Sequence, residues 1–206
     1  MTREEELEII VRVRSGDTNA FEALVLEHQK KIYNLALRML GNEEDALDMT
    51  QEAFLRAFNS LDGFRGDSKF SVWLYRLSSN ICIDFLRSHG KKQASSLTVD
   101  GHDEQQEELE LPDERFSPNV ALEKKEVRNA VYRGLETLSP EYRCILLLRE
   151  IEGLSYEEIG RALKLEAGTV KSRIFRARKK LCAYLVSDGN IPDNLASNVV
   201  KGGAKG

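Results

Sequence analysis

The chain has 206 residues, enough for one ordinary domain or two small ones, and its 41% hydrophobic and 31% charged side chains fit a soluble, globular protein. Leu, Ala, Glu, Lys and Arg are abundant and β-branched runs are few, so the expected fold class is all-α. The longest apolar run, Cys144 to Leu148, is too short to cross a bilayer, and Met1-Thr2-Arg3-Glu4-Glu5-Glu6 lacks the apolar core of a signal peptide, so a cytoplasmic protein is expected.

The net charge of −4 argues against a nucleic-acid partner until its distribution is considered. Residues 1–92 carry −2, residues 93–122 carry −7, and residues 123–206 carry +5. The cysteines, Cys82, Cys144 and Cys182, are isolated in apolar helical settings and read as small core residues. No Cys/His spacing suggests zinc, so neither metal nor cofactor is expected.

In chain order, the first helix spans Glu4 to Arg14 and ends at Ser15-Gly16. Asp17 is a suitable N-cap for a long helix to about Leu40, with Phe21, Leu24, Val25, Ile32, Leu35, Ala36 and Met39 as its apolar stripe. Gly41-Asn42 stops it. Asn42 caps a third helix reaching about Asn59, with Glu43, Glu44 and Asp45 in its positively polarised first turn. Ser60 to Ser68 reads as a loop, and a fourth helix runs from about Lys69 to His89, completing a four-helix bundle.

From Gly90 to about Asn119 the chain is rich in Ser, Gln, Asp and Glu and too poor in apolar residues to fold alone, so it reads as a flexible acidic linker. A second helical unit begins with Ala121 to Thr137. Ser139-Pro140-Glu141 opens the next helix, which continues to about Ile151 and stops at Gly153. Ser155 and Glu158 are spaced as a capping box for a short helix, Tyr156 to Leu163. After a turn at Leu165 to Ala167, Gly168-Thr169 opens a basic helix ending near Val186. The domain boundaries that follow are 1–92, 93–120 for the linker, 121–186, and 187–206 for a disordered tail.

Leu154 to Ile174 has the layout of a helix-turn-helix, held together by Ile159, Ala162, Leu163, Val170 and Ile174. Between Gly168 and Leu181 the second helix carries Lys171, Arg173, Arg176, Arg178, Lys179 and Lys180 and no acid, which suits the major groove. Lys171, Arg173 and Arg176 are assigned to base edges or adjacent phosphates, and later basic residues to backbone or solvent. If about four of them neutralise phosphates, log affinity falls with log salt at a slope of roughly −3 to −4.

These residues resemble a known family. Leu148-Arg149-Glu150-Ile151-Glu152-Gly153-Leu154-Ser155-Tyr156-Glu157-Glu158-Ile159-Gly160, with Gly168 to Arg178, is similar to region 4 of the extracytoplasmic-function (ECF) sigma factors, RNA polymerase sigma factors of the sigma-E and sigma-W type. Region 4 reads the −35 promoter element, which implies Arg149, Thr169, Lys171, Ser172, Arg173, Phe175 and Arg176 as DNA contacts. Asp45 to Phe58 resembles the region 2 helix that docks on the polymerase clamp, implying Asp48, Gln51, Glu52, Phe54 and Arg56 at that surface. From the spacing alone, Asp48, Gln51, Glu52 and Arg56 could equally be a solvated polar face, with Phe54 and Leu55 elsewhere on the helix.

Phe64 to Asn80 is similar to the segment that melts and reads the −10 element, implying Phe64, Arg65, Ser68, Lys69, Trp73, Arg76 and Asn80. Rings among cations suit unpaired strands, because bases stack on aromatic faces at roughly 1–3 kcal/mol each. By the resemblance, the loop Leu61 to Ser68 holds a flipped-out base and Asn80 contacts the duplex edge. Phe70 and Trp73 have an alternative reading as core, whereas Phe64, in a glycine-flanked loop, is expected to be functional.

The resemblance implies a non-enzymatic transcription initiation factor that directs a stress-type regulon. Its implied partners are core RNA polymerase, through the clamp of the β′ subunit and the flap of the β subunit, promoter DNA, and a membrane-linked anti-sigma factor; no small-molecule substrate is implied. A stand-alone helix-turn-helix regulator would account for residues 123–186 and leave Phe64 to Asn80 unexplained. An enzyme acting on nucleic acid would need a phosphate-binding loop or metal cluster, neither of which is visible, and His28, His89 and His102 are scattered without an evident acidic partner.

Overall fold

The structure, a computed structural model, describes residues 1–95 and 118–189, with side chains over 1–89 and 126–189. Among the described residues it is all-helical. Helix α1 spans Arg3–Arg14, α2 Phe21–Leu40, α3 Glu43–Asn59 and α4 Phe70–Ser95. After the linker come α5 Pro118–Glu136, α6 Pro140–Leu146 with a π-helical end over Leu147–Ile151, α7 Tyr156–Leu163 and α8 Ala167–Ser187. Residues 190–206 of the expected tail at 187–206 and most of the expected linker lie outside the described residues, as does His102.

Local chemistry explains most boundaries. Thr2 and Glu5 form a capping box at the start of α1, and Asn42 accepts from the Asp45 amide at the start of α3. Gly41 ends α2 in the left-handed region at φ 76°, where a side chain would be strained. The expected Asp17 cap is not formed: its carboxylate pairs with Arg12 at 2.6 Å, and a short 3₁₀ turn, Thr18–Ala20, leads into α2 instead. Helix α4 continues six residues past the expected end at His89.

In the N-terminal unit, α1 to α4 bury Ile10, Leu24, Ile32, Leu35, Met39, Ala53, Phe70 and Leu74. In the C-terminal unit, Ala130, Ile145, Leu148, Ile159, Val170 and Ile174 form the centre. Gly134 brings α5 close to α8, since a Cβ there would lie 2.6 Å from Leu181 and 2.9 Å from Tyr184. One continuous apolar cluster joins the two units, because α6 and α7 pack across α4. Arg143 fastens this junction: its buried guanidinium donates to the carbonyls of Leu135 and Glu136 and, at 2.5 Å, to that of Met39 near the end of α2.

Cys82, Cys144 and Cys182 are free and buried, as expected. Burial pushes the thiols of Cys82 and Cys144 up to about 12. His28 does have an acidic partner, contrary to expectation. It is buried 2.9 Å from the Glu6 carboxylate, and its ring leans on Phe70 at 5.5 Å between centroids. The sequence separation of that pair hides it from any local pattern.

Candidate nucleic-acid interface and docking faces

The helix-turn-helix forms as its residues dictate. Both halves of the Ser155–Glu158 capping box are made. Lys164 reverses the chain in the left-handed region, at φ 53°, and the Leu165 amide returns to the Gly160 carbonyl at 2.9 Å. Gly160 is required there, because a Cβ would lie 2.7 Å from the Leu165 backbone oxygen. Ile159, Ala162, Val170 and Ile174 are buried between α7 and α8, with Leu163 partly buried against them.

This packing fixes which side chains α8 presents. Lys171, Ser172, Phe175 and Arg176 are exposed, and Thr169 and Arg173 are half-buried. Phe175 is a large apolar side chain standing 51% exposed on the basic face. The Ser172 hydroxyl donates to the Thr169 carbonyl within the helix. Arg149 donates to the Leu154 carbonyl at 2.9 Å and lies over the Tyr156 ring, so it braces the approach to α7 rather than pointing freely outward. Arg178 likewise turns to Glu150, at 2.5 Å, and does not lie open to solvent.

The loop before α4 builds a different surface. Gly63, Phe64, Arg65, Asp67, Ser68, Val72, Trp73, Arg76 and Arg161 enclose a cavity of about 310 Å³. Phe64 and Trp73 are 4% and 6% exposed, so neither ring stands free in solvent. The physical reason is aromatic packing: Phe64 meets Phe70 edge-on at 5.7 Å and Trp73 at 5.4 Å. Phe70 itself is core, at 1% exposure. The Phe64 and Trp73 rings thus form a wall of the cavity, with Arg65 and Arg76 beside them. Asn80 is exposed further along α4.

Two adjoining grooves flank α3. The polar one is lined by Asp48, Gln51, Glu52 and Arg56 on α3, with Leu55, and by Ile81, Asp84 and Phe85 on α4. Glu52 and Arg56 pair within it at 2.6 Å. Phe54 does not share this face. It is buried in the floor of an apolar groove with Phe21, Val25, Leu47, Leu55 and Phe58.

The two units touch through the cavity itself. Arg161 of α7 lines it and donates to the Asp67 carbonyl at 3.4 Å. Lys69, expected on DNA, pairs with Glu158 at 3.1 Å. The Tyr75 phenol donates to Glu152, and burial, reinforced by that carboxylate, pushes its ionisation far above the ordinary tyrosine value. Arg87 and Glu141 close the far end of the junction at 2.5 Å. Neither Arg161 nor Glu152 was marked by any local sequence signal, since their partners lie 94 and 77 residues away.

An all-α pair of units with a basic helix-turn-helix and a ring-walled cationic loop has the surfaces of a DNA-binding protein. Comparison with known proteins agrees. Sigma-70 region 2 matches residues 24–92, and Sigma-70 region 4 matches residues 128–181. The chain is 38% identical over 182 residues to the RNA polymerase sigma-H factor of Pseudomonas aeruginosa, covering 88% of this chain and 94% of that protein. It is 39% identical over 173 residues to the ECF RNA polymerase sigma-E factor of Escherichia coli K12, covering 84% and 90%. Among solved structures it is similar to CnrH in complex with the cytosolic domain of CnrY, with a TM-score of 0.61 and 27% identity over 87% of this chain and 96% of that one. It shares its fold with the sigma factor RpoE of Bartonella quintana, solved with the anti-sigma factor NepR, at a TM-score of 0.61 and 23% identity over 82% and 98%. The chain belongs to the extracytoplasmic-function sigma factors of the sigma-70 family, RNA polymerase sigma factors that direct promoter-specific transcription.

Proposed function

We propose that residues 121–186 read the −35 duplex and residues 1–92 melt and read the −10 element while docking on core polymerase, with 93–120 as the tether between them. The observation that carries this reading is the pairing, in one chain, of an acid-free helix face with a separate ring-walled cationic cavity. Lys171, Arg173 and Arg176 reach base edges or phosphates, Thr169 and Ser172 contact the backbone, and Phe175 covers an apolar base edge such as a thymine methyl. Arg149 acts mainly by holding the Leu154 carbonyl and the Tyr156 ring.

In the −10 element a flipped base enters the cavity bounded by Phe64 and Trp73. Arg65, Ser68, Lys69 and Arg76 follow the strand's phosphates, and Asn80 meets the duplex edge. Unpairing and unstacking cost a few kcal/mol, which the cavity offsets by accepting the base. The polar groove around Asp48, Gln51, Glu52 and Arg56 is the face for the β′ clamp, with the β flap holding the helix-turn-helix unit. Phe54 supports this face from below.

Elements at −35 and −10 lie about 25 base pairs apart, roughly 85 Å of duplex at ~3.4 Å per step. The Lys69–Glu158 and Arg161–Asp67 contacts hold the two reading surfaces together instead. Simultaneous reading therefore requires the units to part, and binding to polymerase supplies that separation. Two tethered sites of modest affinity then act as one strong site. Before that step a membrane-linked anti-sigma factor holds the chain; CnrH, solved with the cytosolic domain of CnrY, and the Bartonella quintana sigma factor, solved with the anti-sigma factor NepR, support capture by a protein partner.

The test is run-off transcription from genomic DNA with core polymerase and this chain alone, followed by sequencing of the transcript starts. Aligned starts with two shared upstream elements are expected. Transcripts that appear only when a second sigma factor is added would sink the reading in favour of a stand-alone regulator.

A further inference from the structure

Helix α1 lies outside the residues matched by region 2, yet it reaches the base-reading loop with two arginines. Nη2 of Arg14 donates to the carbonyls of Leu61 at 2.6 Å and Phe64 at 2.5 Å, with the Asp62 carbonyl at 3.2 Å. Nε of the same guanidinium stands 3.8 Å from the Asp62 carboxylate. At the other end of the helix, Arg3 donates to the Gly66 carbonyl at 2.7 Å. Leu7 fills the space beside Gly66, which turns the chain at φ 76°.

These contacts hold the loop at both of its shoulders. Leu61, Asp62 and Phe64 bring their carbonyls to one point, which a neutral side chain does not draw together. A cationic donor does, because hydrogen bonds to a charged group are the stronger kind. The Phe64 carbonyl is one of those held, and the Phe64 ring forms the cavity wall. Where that carbonyl sits sets where the ring can stand against Phe70 and Trp73.

We infer that Arg14 is a positioning residue for −10 recognition: it shapes the base cavity from outside without touching DNA. This rests on the reading of that cavity as the site of the flipped base. The same argument makes α1 a working part of the promoter-reading unit.

The test uses holoenzyme assembled from core polymerase and full-length wild type, Arg14→Met, Arg14→Lys or Arg12→Met. Arg12 is the control, since it leaves from the same turn but pairs with Asp17. The probes come from a promoter identified by wild-type transcript starts. They are fluorescent non-template −10 single strands, each carrying one of the four bases at a single position, together with the −35 duplex.

Wild type is expected to prefer one base, at one position, by about tenfold or more. Arg14→Met is expected to flatten that preference to about threefold or less while keeping its affinity for the −35 duplex. Arg14→Lys, which can still donate to the carbonyls, should retain most of the preference, and Arg12→Met all of it. A wild type with no preferred base at any position would overturn the cavity reading itself. A preference that survives in Arg14→Met, or is lost equally in Arg14→Lys, would overturn the role of Arg14 alone. Equal loss of −10 and −35 binding in Arg14→Met, with a lowered unfolding temperature, would make its role merely structural.

Discussion

The phenol of Tyr75, on α4, donates a hydrogen bond to the carboxylate of Glu152, which precedes the helix-turn-helix. A buried hydroxyl in one unit therefore depends on an acid in the other. A hydrogen bond to a charged group contributes about 1.5–3 kcal/mol, enough to bias an equilibrium between joined and parted units.

Lys69 and Glu158 offer a direct measure of that equilibrium. Their amine and carboxylate stand 3.1 Å apart, within reach of a zero-length carbodiimide cross-link. The free chain is expected to give a Lys69–Glu158 linked peptide by mass spectrometry. Tyr75→Phe should lower its yield, and saturating core polymerase should abolish it. An undiminished yield in the holoenzyme would contradict separation on binding.

Substitutions on α8 should divide by what the side chains already hold. Lys171→Ala and Arg176→Ala remove exposed cations, so each should weaken −35 binding and reduce the slope of log affinity against log salt by about 1. Arg178→Ala removes a group already neutralised by Glu150 and should change the slope much less. Filter binding or anisotropy across a salt series separates the two behaviours.

Gly160→Ala tests the turn. Its Cβ would come within 2.7 Å of the Leu165 backbone oxygen, so the chain between α7 and α8 must shift. A loss of about 1–3 kcal/mol in urea unfolding is expected, as for other overpacked sites, with weakened −35 binding. A variant as stable as wild type would mean that the turn is softer than its contacts indicate.

Glu158 gives a pH dependence with a definite sign. The Ser155 backbone amide holds its carboxyl below the ordinary value of 4.5, against the opposing effect of burial, and Lys69 adds to the lowering. A depressed folded value means that the contribution is fully present above 4.5 and fades as pH falls through the folded value. The difference in melting temperature between wild type and Glu158→Gln should be level near neutrality and shrink below pH 4.5. A difference that grows on acidification would reverse the assignment.

What the sequence made legible was periodic or local. The stripe on α2, the Ser155–Glu158 box and the core of the helix-turn-helix follow from three- and four-residue spacing, and the structure has each of them. How deeply Phe64 sits was not legible, because flanking glycines describe the backbone of a loop and say nothing of the rings beneath it. Phe54 stands off the polar face, as its spacing from Asp48, Gln51, Glu52 and Arg56 implied, but its neighbours across the apolar groove come from α2 and were not legible. The contacts of Arg14 with Leu61, Tyr75 with Glu152, Arg143 with Met39 and Arg161 with Asp67 join residues 47 to 104 positions apart, where no spacing rule applies.

Trp73 is the chain's one tryptophan, and it stands where the cavity wall meets the Phe64 and Phe70 rings. Its indole emission therefore has a single origin. Excited at the red edge of its absorption, where the tyrosines contribute little, that indole reports from the cavity at the start of α4, so an unlabelled chain carries its own optical gauge of what enters or leaves that space.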